Sequence, residues 1–175
     1  MEIKQVKRPL NVISFIVENK PGVLFRVAWL IRRRDFNIES ISVGHAERPD
    51  LARMTITIYG DEPIIEQVVK QLRKLIDVVK VSKLDPDNSV IREMALIKVH
   101  VPDQKTRADL DYYVRAFRGN IVDVSPDATI VEVTGAPQKI DAFIELMKTF
   151  GIKEIARTGA TALLRGSKGM LGEER

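Results

Sequence analysis

Hydrophobic and polar positions at the start of the chain follow the pattern of a strand and then a helix. Residues 10–17, LNVISFIV, are apolar and rich in β-branched side chains, which predicts a buried strand. Leu24, Val27, Ala28 and Ile31 then recur at helical spacing and predict a helix over about 22–34 with one face toward a core. Phe25 and Trp29 also fall on core patterns. The chain therefore begins with a strand and a helix that share one core.

Two more strands, a second helix and a fourth strand are predicted next. Residues 37–46 and 51–60 predict strands joined by a turn-rich segment, and the strict alternation in 51–60 predicts one buried and one solvent-exposed face. Asp61 can cap the next helix, with Pro63 in its first turn, and residues 78–84 form the last strand. The apolar stripe predicted for that helix consists of Ile64, Val68, Leu72 and Ile76. This β-α-β-β-α-β order is the ferredoxin-like arrangement, an antiparallel sheet with both helices on one face.

The same order of elements is predicted again beyond a polar, turn-rich linker at residues 85–90. Its first helix is amphipathic and ends near Gly119, a residue suited to a helix end. We therefore predict an α+β fold of two tandem ferredoxin-like βαββαβ domains, at residues 1–84 and 91–175. The matching residues are Asn37 and Ile38 with Asn120 and Ile121, and Gly60 with Gly135.

A proline and a glycine stand where the first strand changes to the first helix, in the segment ENKPGVL. Asn19 can cap a helix, Pro21 suits a first turn, and Gly22 lets another molecule approach the backbone where unpaired N–H groups point outward. The corresponding junction of the second domain, VPDQKTRADL, has no such pair and no glycine. The first domain is therefore the candidate ligand binder, and its junction suits either a small anion or a plain turn.

Composition narrows the class of protein. The chain has 175 residues, 45% of them hydrophobic, which is enough for an ordinary core. It has no cysteine and two histidines, His45 and His100, which excludes disulfides and thiolate chemistry and leaves little for metal binding. No apolar run approaches the ~20 residues of a membrane span, and the start of the chain lacks the apolar centre of a secretory signal. We expect a cytoplasmic protein without a membrane segment.

Charge adds one ambiguous feature. A net charge of +4 is small for a nucleic-acid binder. Arg32, Arg33 and Arg34 cluster at the predicted end of the first helix, where positive charge complements the helix dipole. A patch that binds phosphate or docks a partner is the alternative interpretation of these arginines.

Motifs of catalysis are missing from the sequence. It contains no P-loop, no G-x-G-x-x-G, no H-E-x-x-H and no G-x-S-x-G. His45 and His100 fit structural roles, and no pair of carboxylates has a spacing that indicates an acid and a base. A binding or regulatory protein is favoured over an enzyme.

The predicted sheet indicates where such a protein would bind a ligand. In the strand order 4-1-3-2 the second strand lies at an edge and invites pairing with a second copy, which brings its start to the other copy's strand–helix junction. An amino acid suits this shared site, because its carboxylate matches backbone N–H groups, its ammonium matches amide oxygens, and an aliphatic side chain matches apolar residues. The alternative is that Asn19 only caps and Asn37 only turns. The candidate residues are Asn19, Gly22, Val23, Leu24, Asn37 and Ile38.

Five segments resemble the small regulatory subunit of acetolactate synthase (acetohydroxyacid synthase). ENKPGVLFRV, FNIESISVG and RMTITIYGDE are similar to the ACT domain of that family. FRGNIVDVSPD and KEIARTGATALLRG are similar to its carboxy-terminal domain. The resemblance covers residues 10–169 in the same order, and the motifs of the second domain separate this family from other ACT proteins.

The resemblance implies a non-catalytic subunit that binds and activates a large catalytic subunit and confers feedback inhibition by branched-chain amino acids, usually valine. Thiamine diphosphate, magnesium and FAD would belong to the catalytic partner, with no cofactor in this chain. In the family, valine binds at the interface of an ACT-domain homodimer, which a higher oligomer can contain. Carried over by motif, the valine site falls on the six candidate residues, with Asn37 and Ile38 supplied by the other chain.

One position departs from the family pattern. Asp35 stands where a glycine commonly precedes the aromatic-Asn-Ile motif. Aspartate tolerates the left-handed conformation better than most residues, so we expect the helix end to be kept.

Other functions remain as alternatives. An amino-acid-responsive transcriptional regulator or another stand-alone sensor could use ACT domains. A regulator of this kind needs a DNA-reading element, and the sequence has no helix-turn-helix segment. A stand-alone enzyme is the least favoured alternative.

Overall fold

The structure is a computed structural model. Arg34 and Asp35, for which the sequence predicted positions at the end of the first helix, lie outside the residues that it describes. The described residues are 9–33, 36–167 and 169–171.

The chain forms two compact units. The first combines the chain up to Val90 with the segment from Gly159 onward, and the second is the intervening Ile91–Thr158. The second unit is thus an insertion in the sequence of the first. The predicted domains, residues 1–84 and 91–175, are defined by sequence pattern and not by compactness, so their boundaries stay a prediction.

The first unit contains a four-stranded antiparallel sheet with two helices on one face. The strand order β2-β3-β1-β4 is the predicted order, with β2 and β4 at the edges. The predicted elements are therefore confirmed, with small shifts at their ends. They are β1 Leu10–Glu18, α1 Val23–Arg33, β2 Ile38–His45, β3 Leu51–Tyr59, α2 Glu62–Leu72 and β4 Val78–Leu84.

The core of this unit lies between the sheet and its helices. Phe15 and Ile56 project from the sheet, and Val27 and Leu72 meet them from α1 and α2. The prediction that Ile76 shares the core stripe of the second helix is wrong: Ile76 is 95% exposed, because α2 ends at Leu72 and the helical period stops there. The predicted core face of α1 is also partly wrong: Val23, Val27 and Ile31 face the core, while Leu24, Phe25, Ala28 and Trp29 are exposed.

The opposite face of the sheet is covered too. The sequence predicted a solvent-exposed face on β3, yet Thr55 and Thr57 are buried there, so this prediction is wrong. The cover is the segment from Gly159, with a short strand β9 at Thr161–Leu164 that the sequence did not predict. Its residues against the sheet are small, Ala160 and Ala162, while Met170 packs on Ile16 and Leu51.

The second unit repeats the architecture. Four strands of its sheet follow the order β6-β7-β5-β8, which matches the order of the first sheet. Two helices cover one face, and Phe143 and Leu110 are buried between helices and sheet. Its elements are β5 Ser89–His100, which begins at the boundary between the units, α3 Gln104–Ala116, β6 Asn120–Val124, β7 Ala128–Gly135, α4 Pro137–Met147 and β8 Ile152–Arg157.

Caps and glycines account for several helix ends. Asp61 accepts a hydrogen bond from the N–H of Ile64, as predicted, and Asp103 caps α3 in the same way. The end of α3 differs from its prediction: Arg118, with φ 52°, takes the left-handed conformation, and Gly119 follows it with its N–H bonded to the Val114 carbonyl.

Candidate functional site

The loop after β1 is held by backbone hydrogen bonds from two neighbouring turns. The N–H of Glu18 donates to the carbonyl of Asp77 at 2.9 Å, and the N–H of Asn19 donates to the carbonyl of Asp50 at 2.8 Å. Gly22 then adopts φ 85°, a conformation that favours glycine. The loop therefore approaches α1 in one defined path.

The first turn of α1 leaves backbone donors facing outward. The first helical bond joins the N–H of Arg26 to the Gly22 carbonyl at 3.0 Å, so Pro21 precedes the helix rather than lying in its first turn. Within the described residues, the N–H groups of Gly22 and Leu24 have no hydrogen-bond acceptor, and the Asn19 side chain does not cap the helix. These N–H groups at a positive helix end suit a carboxylate.

The six predicted residues fall at two ends of α1. Asn19, Gly22 and Leu24 are exposed near its start, while Asn37 is exposed and Ile38 is half-buried beyond its end. The 11 residues of the helix separate these groups by about 16 Å. One chain therefore does not bring them together. Val23 is buried in the core, so its side chain anchors the helix. Only the backbone of Val23 can therefore face a ligand at the loop.

The β2 edge offers a geometry that joins the two groups from different chains. Ile41 and Val43 on this edge strand are exposed large apolar residues. In a two-fold antiparallel pairing of β2 with its copy, the start of one strand lies beside the end of the other. The end of β2 is at the same end of the sheet as the start of α1, so this pairing would bring Asn37 of one chain to the loop of the other.

An ion pair that the sequence did not reveal supports this loop. Arg26 Nε and Nη2 donate to the two carboxylate oxygens of Asp77, at 2.6 and 2.8 Å. The Asp77 side chain is largely buried. A Cβ at Gly22 would lie 3.4 Å from Arg26 Nη1, so the guanidinium passes directly beside the glycine. The pair joins the loop, α1 and the turn before β4.

Asp77→Asn is expected to lower stability at neutral pH, and the deficit should shrink in acid. The Arg26 guanidinium holds the pKa of Asp77 below its ordinary value, by hydrogen bonding and then by charge. A lowered carboxyl pKa contributes stability above about pH 4, and that contribution is lost as the pH falls through the folded-state value. Urea unfolding at pH 7, 5, 4 and 3 measures this.

Glu66→Gln serves as the control for this pH series, because the exposed ion pair of Glu66 with Lys70 contributes little to the free energy of unfolding. An Asp77→Asn deficit that stays the same from pH 7 to pH 3 would contradict the electrostatic role of the pair.

Other titratable residues provide no second site in the described part of the chain. His100 Nδ1 lies 3.0 Å from the Asp127 carbonyl, and His45 is exposed at the end of β2. Over the described ranges, no group of three histidine, aspartate or glutamate residues is placed to hold a metal ion. None of the helices described is both long enough and apolar enough to cross a membrane.

Comparison with known proteins assigns both halves of the chain to one family. The family model described as "Small subunit of acetolactate synthase" matches residues 92–166. A second model, "AHAS small subunit-like ACT domain", matches residues 13–80 and includes the loop and β2. Together the two models cover most of the chain.

Named relatives and a solved structure agree with this assignment. The chain is 58% identical over 160 residues to the "Probable acetolactate synthase small subunit" of Methanothermobacter thermautotrophicus, covering 91% of this chain and 95% of the relative. It is 49% identical to the small subunit of Aquifex aeolicus, covering 94% of this chain and 85% of that one. The crystal structure of the Thermotoga maritima small subunit matches with a TM-score of 0.84 and 46% identity, over 91% of this chain and 99% of that chain. The chain therefore belongs to the family of acetolactate synthase small subunits, the regulatory subunits of that enzyme.

Proposed function

We propose that this chain binds the large catalytic subunit of acetolactate synthase, raises its activity and makes it sensitive to feedback by valine or another branched-chain amino acid. Membership of the small-subunit family across both halves of the chain carries this proposal. The chain acts without catalytic residues of its own. Thiamine diphosphate, magnesium and FAD are assigned to the catalytic partner, whose residues would hold them.

The effector site is proposed at the contact between two first units, as a homodimer. The outward N–H groups of Gly22 and Leu24 bind the carboxylate of the amino acid. The amide oxygens of Asn19, and of Asn37 from the other chain, accept from its ammonium group. The exposed Leu24 side chain and the half-buried Ile38 of the other chain contact its aliphatic part.

Binding at a shared site explains how an amino acid controls an enzyme that it does not touch. A ligand held by two chains favours the dimer arrangement in which both halves of its site meet. If that arrangement engages the catalytic subunit differently, valine changes activity through this difference. The coupling is reciprocal, so the catalytic subunit also changes the affinity for valine.

Reconstitution tests the proposal. The full-length chain is titrated into the isolated catalytic subunit loaded with its cofactors, and acetolactate formation is followed with and without valine. We expect co-elution of the two proteins, a rise in activity that saturates with added chain, and inhibition by valine only in the reconstituted enzyme. Specific DNA binding by the chain, with no effect on the catalytic subunit, would favour a transcriptional regulator instead.

A further inference from the structure

The outward side of α1 carries two large aromatic rings that the first unit leaves uncovered. Phe25 is 72% exposed and Trp29 is 49% exposed. Each lies two positions after a core residue, Val23 and Val27, and so about 200° round the helix from it. Both rings therefore point away from the sheet. Exposed aromatic pairs of this kind are enriched in protein interfaces.

Arginines border the two rings. Arg32 is exposed, and the Arg33 guanidinium lies over the Trp29 ring, 4.6 Å from its centroid. The cation–π contact holds the Arg33 and Trp29 side chains in one arrangement before any partner binds, which lowers the entropy cost of docking. No acidic residue occurs within α1. We call Phe25, Trp29, Arg32 and Arg33 the aromatic-basic face.

The aromatic-basic face is separate from the edge that carries the proposed effector site. Arg26 on α1 reaches Asp77, which precedes β4 at the edge of the sheet opposite β2. Leu24 lies about 200° round the helix from Arg26 and so faces the β2 side. Phe25 lies midway between them and points outward. A contact through β2 therefore leaves this face free.

A second copy of the chain is a poor occupant. A two-fold contact through this face would set α1 of one copy against α1 of the other, and α1 carries Arg32 and Arg33 but no acidic residue that could pair with them. The two copies would present only positive charge to each other, which opposes binding. A surface with an apolar centre and carboxylates around it complements this face. Its apolar centre would contact the two aromatic rings, and its carboxylates would pair with the two arginines. Tryptophan and arginine are also the residues that contribute most at such interfaces.

We propose that the aromatic-basic face docks the large catalytic subunit of acetolactate synthase, through a surface with an apolar centre and an acidic rim. The inference rests on the proposed function, because it requires that the chain binds that subunit. Phe25 and Trp29 fill the apolar centre, and Arg32 and Arg33 pair with carboxylates at the rim. The cluster of arginines thus has a role beyond the helix end.

A titration of the full-length chain into a fixed amount of catalytic subunit tests the proposal, with the half-activating concentration as the readout. Phe25→Ala combined with Trp29→Ala should raise this concentration about 30-fold, the size expected for loss of one interface hot spot or more. Arg32→Glu combined with Arg33→Glu should also raise it and should flatten its dependence on salt. The half-activating concentration of the wild type should rise with added salt, because salt screens the charged rim.

Tyr112→Ala is the matched control, since Tyr112 is an aromatic residue 69% exposed on α3 of the second unit. Its half-activating concentration should equal that of the wild type. Phe25→Leu combined with Trp29→Phe should keep most of the affinity, because the apolar centre is kept. Thermal unfolding of the aromatic variants should match the wild type, because the altered side chains are exposed. The arginine double variant should unfold at a slightly lower temperature, because it reverses charges that favour the helix end.

The outcomes separate the two proposals. A wild-type chain that neither binds nor activates the catalytic subunit overturns the proposed function and this inference with it. Wild-type activation with unchanged half-activating concentrations in both double variants overturns the inference alone. So does a free chain that dissociates into monomers when Phe25 and Trp29 are replaced, since the face would then lie between copies. Binding to anionic phospholipid vesicles through this face, with activation unchanged, also overturns it.

Discussion

Gly22→Val is expected to weaken valine binding by about 100-fold or more. Valine at φ 85° is strained by roughly 1–2 kcal/mol, which favours a different path of the loop. The effector carboxylate then loses charge-assisted hydrogen bonds to the backbone, each worth about 1.5–3 kcal/mol. The two losses together exceed the ~2.7 kcal/mol that a 100-fold change requires. Isothermal titration calorimetry on the full-length protein measures the change.

Gly166→Val is a closely matched control for the backbone strain. Gly166 also has φ 85°, and a Cβ there would meet no atom within 4 Å. Both variants should lose thermal stability, but only Gly22→Val should lose valine affinity. Equal affinity losses in the two would show that general destabilisation, and not the loop, explains the result.

Mixing two defective chains tests whether the site is shared. Asn37→Ala should also weaken valine binding, because the proposed site takes this amide from the other chain. In a hybrid dimer of Gly22→Val with Asn37→Ala, one site carries both changes and the other carries neither. Equal mixing with random pairing should therefore restore about a quarter of the sites with wild-type affinity. If no sites are restored although hybrids form, each site belongs to a single chain.

Gly159→Val is expected to detach the covering segment from the outer face of the first sheet. A Cβ at Gly159 would lie 2.7 Å from the carbonyl oxygen of Ile41 and 2.8 Å from its carbonyl carbon. These are backbone atoms of β2, so the clash cannot be relieved by a side-chain rotation. Overpacking of this kind costs about 1–3 kcal/mol. Urea unfolding should show this loss, and hydrogen exchange should show faster exchange at Thr55 and Thr57.

Gly44→Val provides the comparison on the same strand, because a Cβ at Gly44 meets nothing within 4 Å. Its exchange at β3 should resemble that of the wild type. Wild-type stability and exchange in Gly159→Val would mean that the close approach of Gly159 to Ile41 contributes nothing to holding the segment.

Local periodicity was sufficient to predict both sheets, and it failed where contacts are distant in sequence. Strands and amphipathic helices repeat over a few residues, so their order and the position of β2 at an edge could be predicted. The cover on the outer face could not: the N–H of Ala160 lies 3.4 Å from the Ser40 hydroxyl, 120 positions away. The alternation in β3 therefore predicted an exposed face although the fold buries it.

The candidate site shows the same division. The turn of the backbone at Gly22 could be predicted from the residues themselves, because glycine readily adopts the positive φ that is found there. The Arg26–Asp77 pair joins residues 51 positions apart and leaves no local signal. The exposure of Phe25 and Trp29 was mispredicted, because a helical stripe identifies an apolar side but not how wide the buried part of it is.

The return of the chain to the first sheet also sets an order for its synthesis. Ser14 and Thr55 on the outer face are buried in the folded chain, where the segment from Gly159 belongs to the same unit. On the ribosome, at about 5–20 residues per second, the second unit is made completely before that segment emerges. The outer face therefore stays unfinished for several seconds, with the hydroxyl groups of Ser14 and Thr55 beside the apolar Ile16 and Leu51. The hydroxyl groups limit the apolar surface that is exposed during that interval, which lowers the tendency of the nascent chain to aggregate until its last strand arrives.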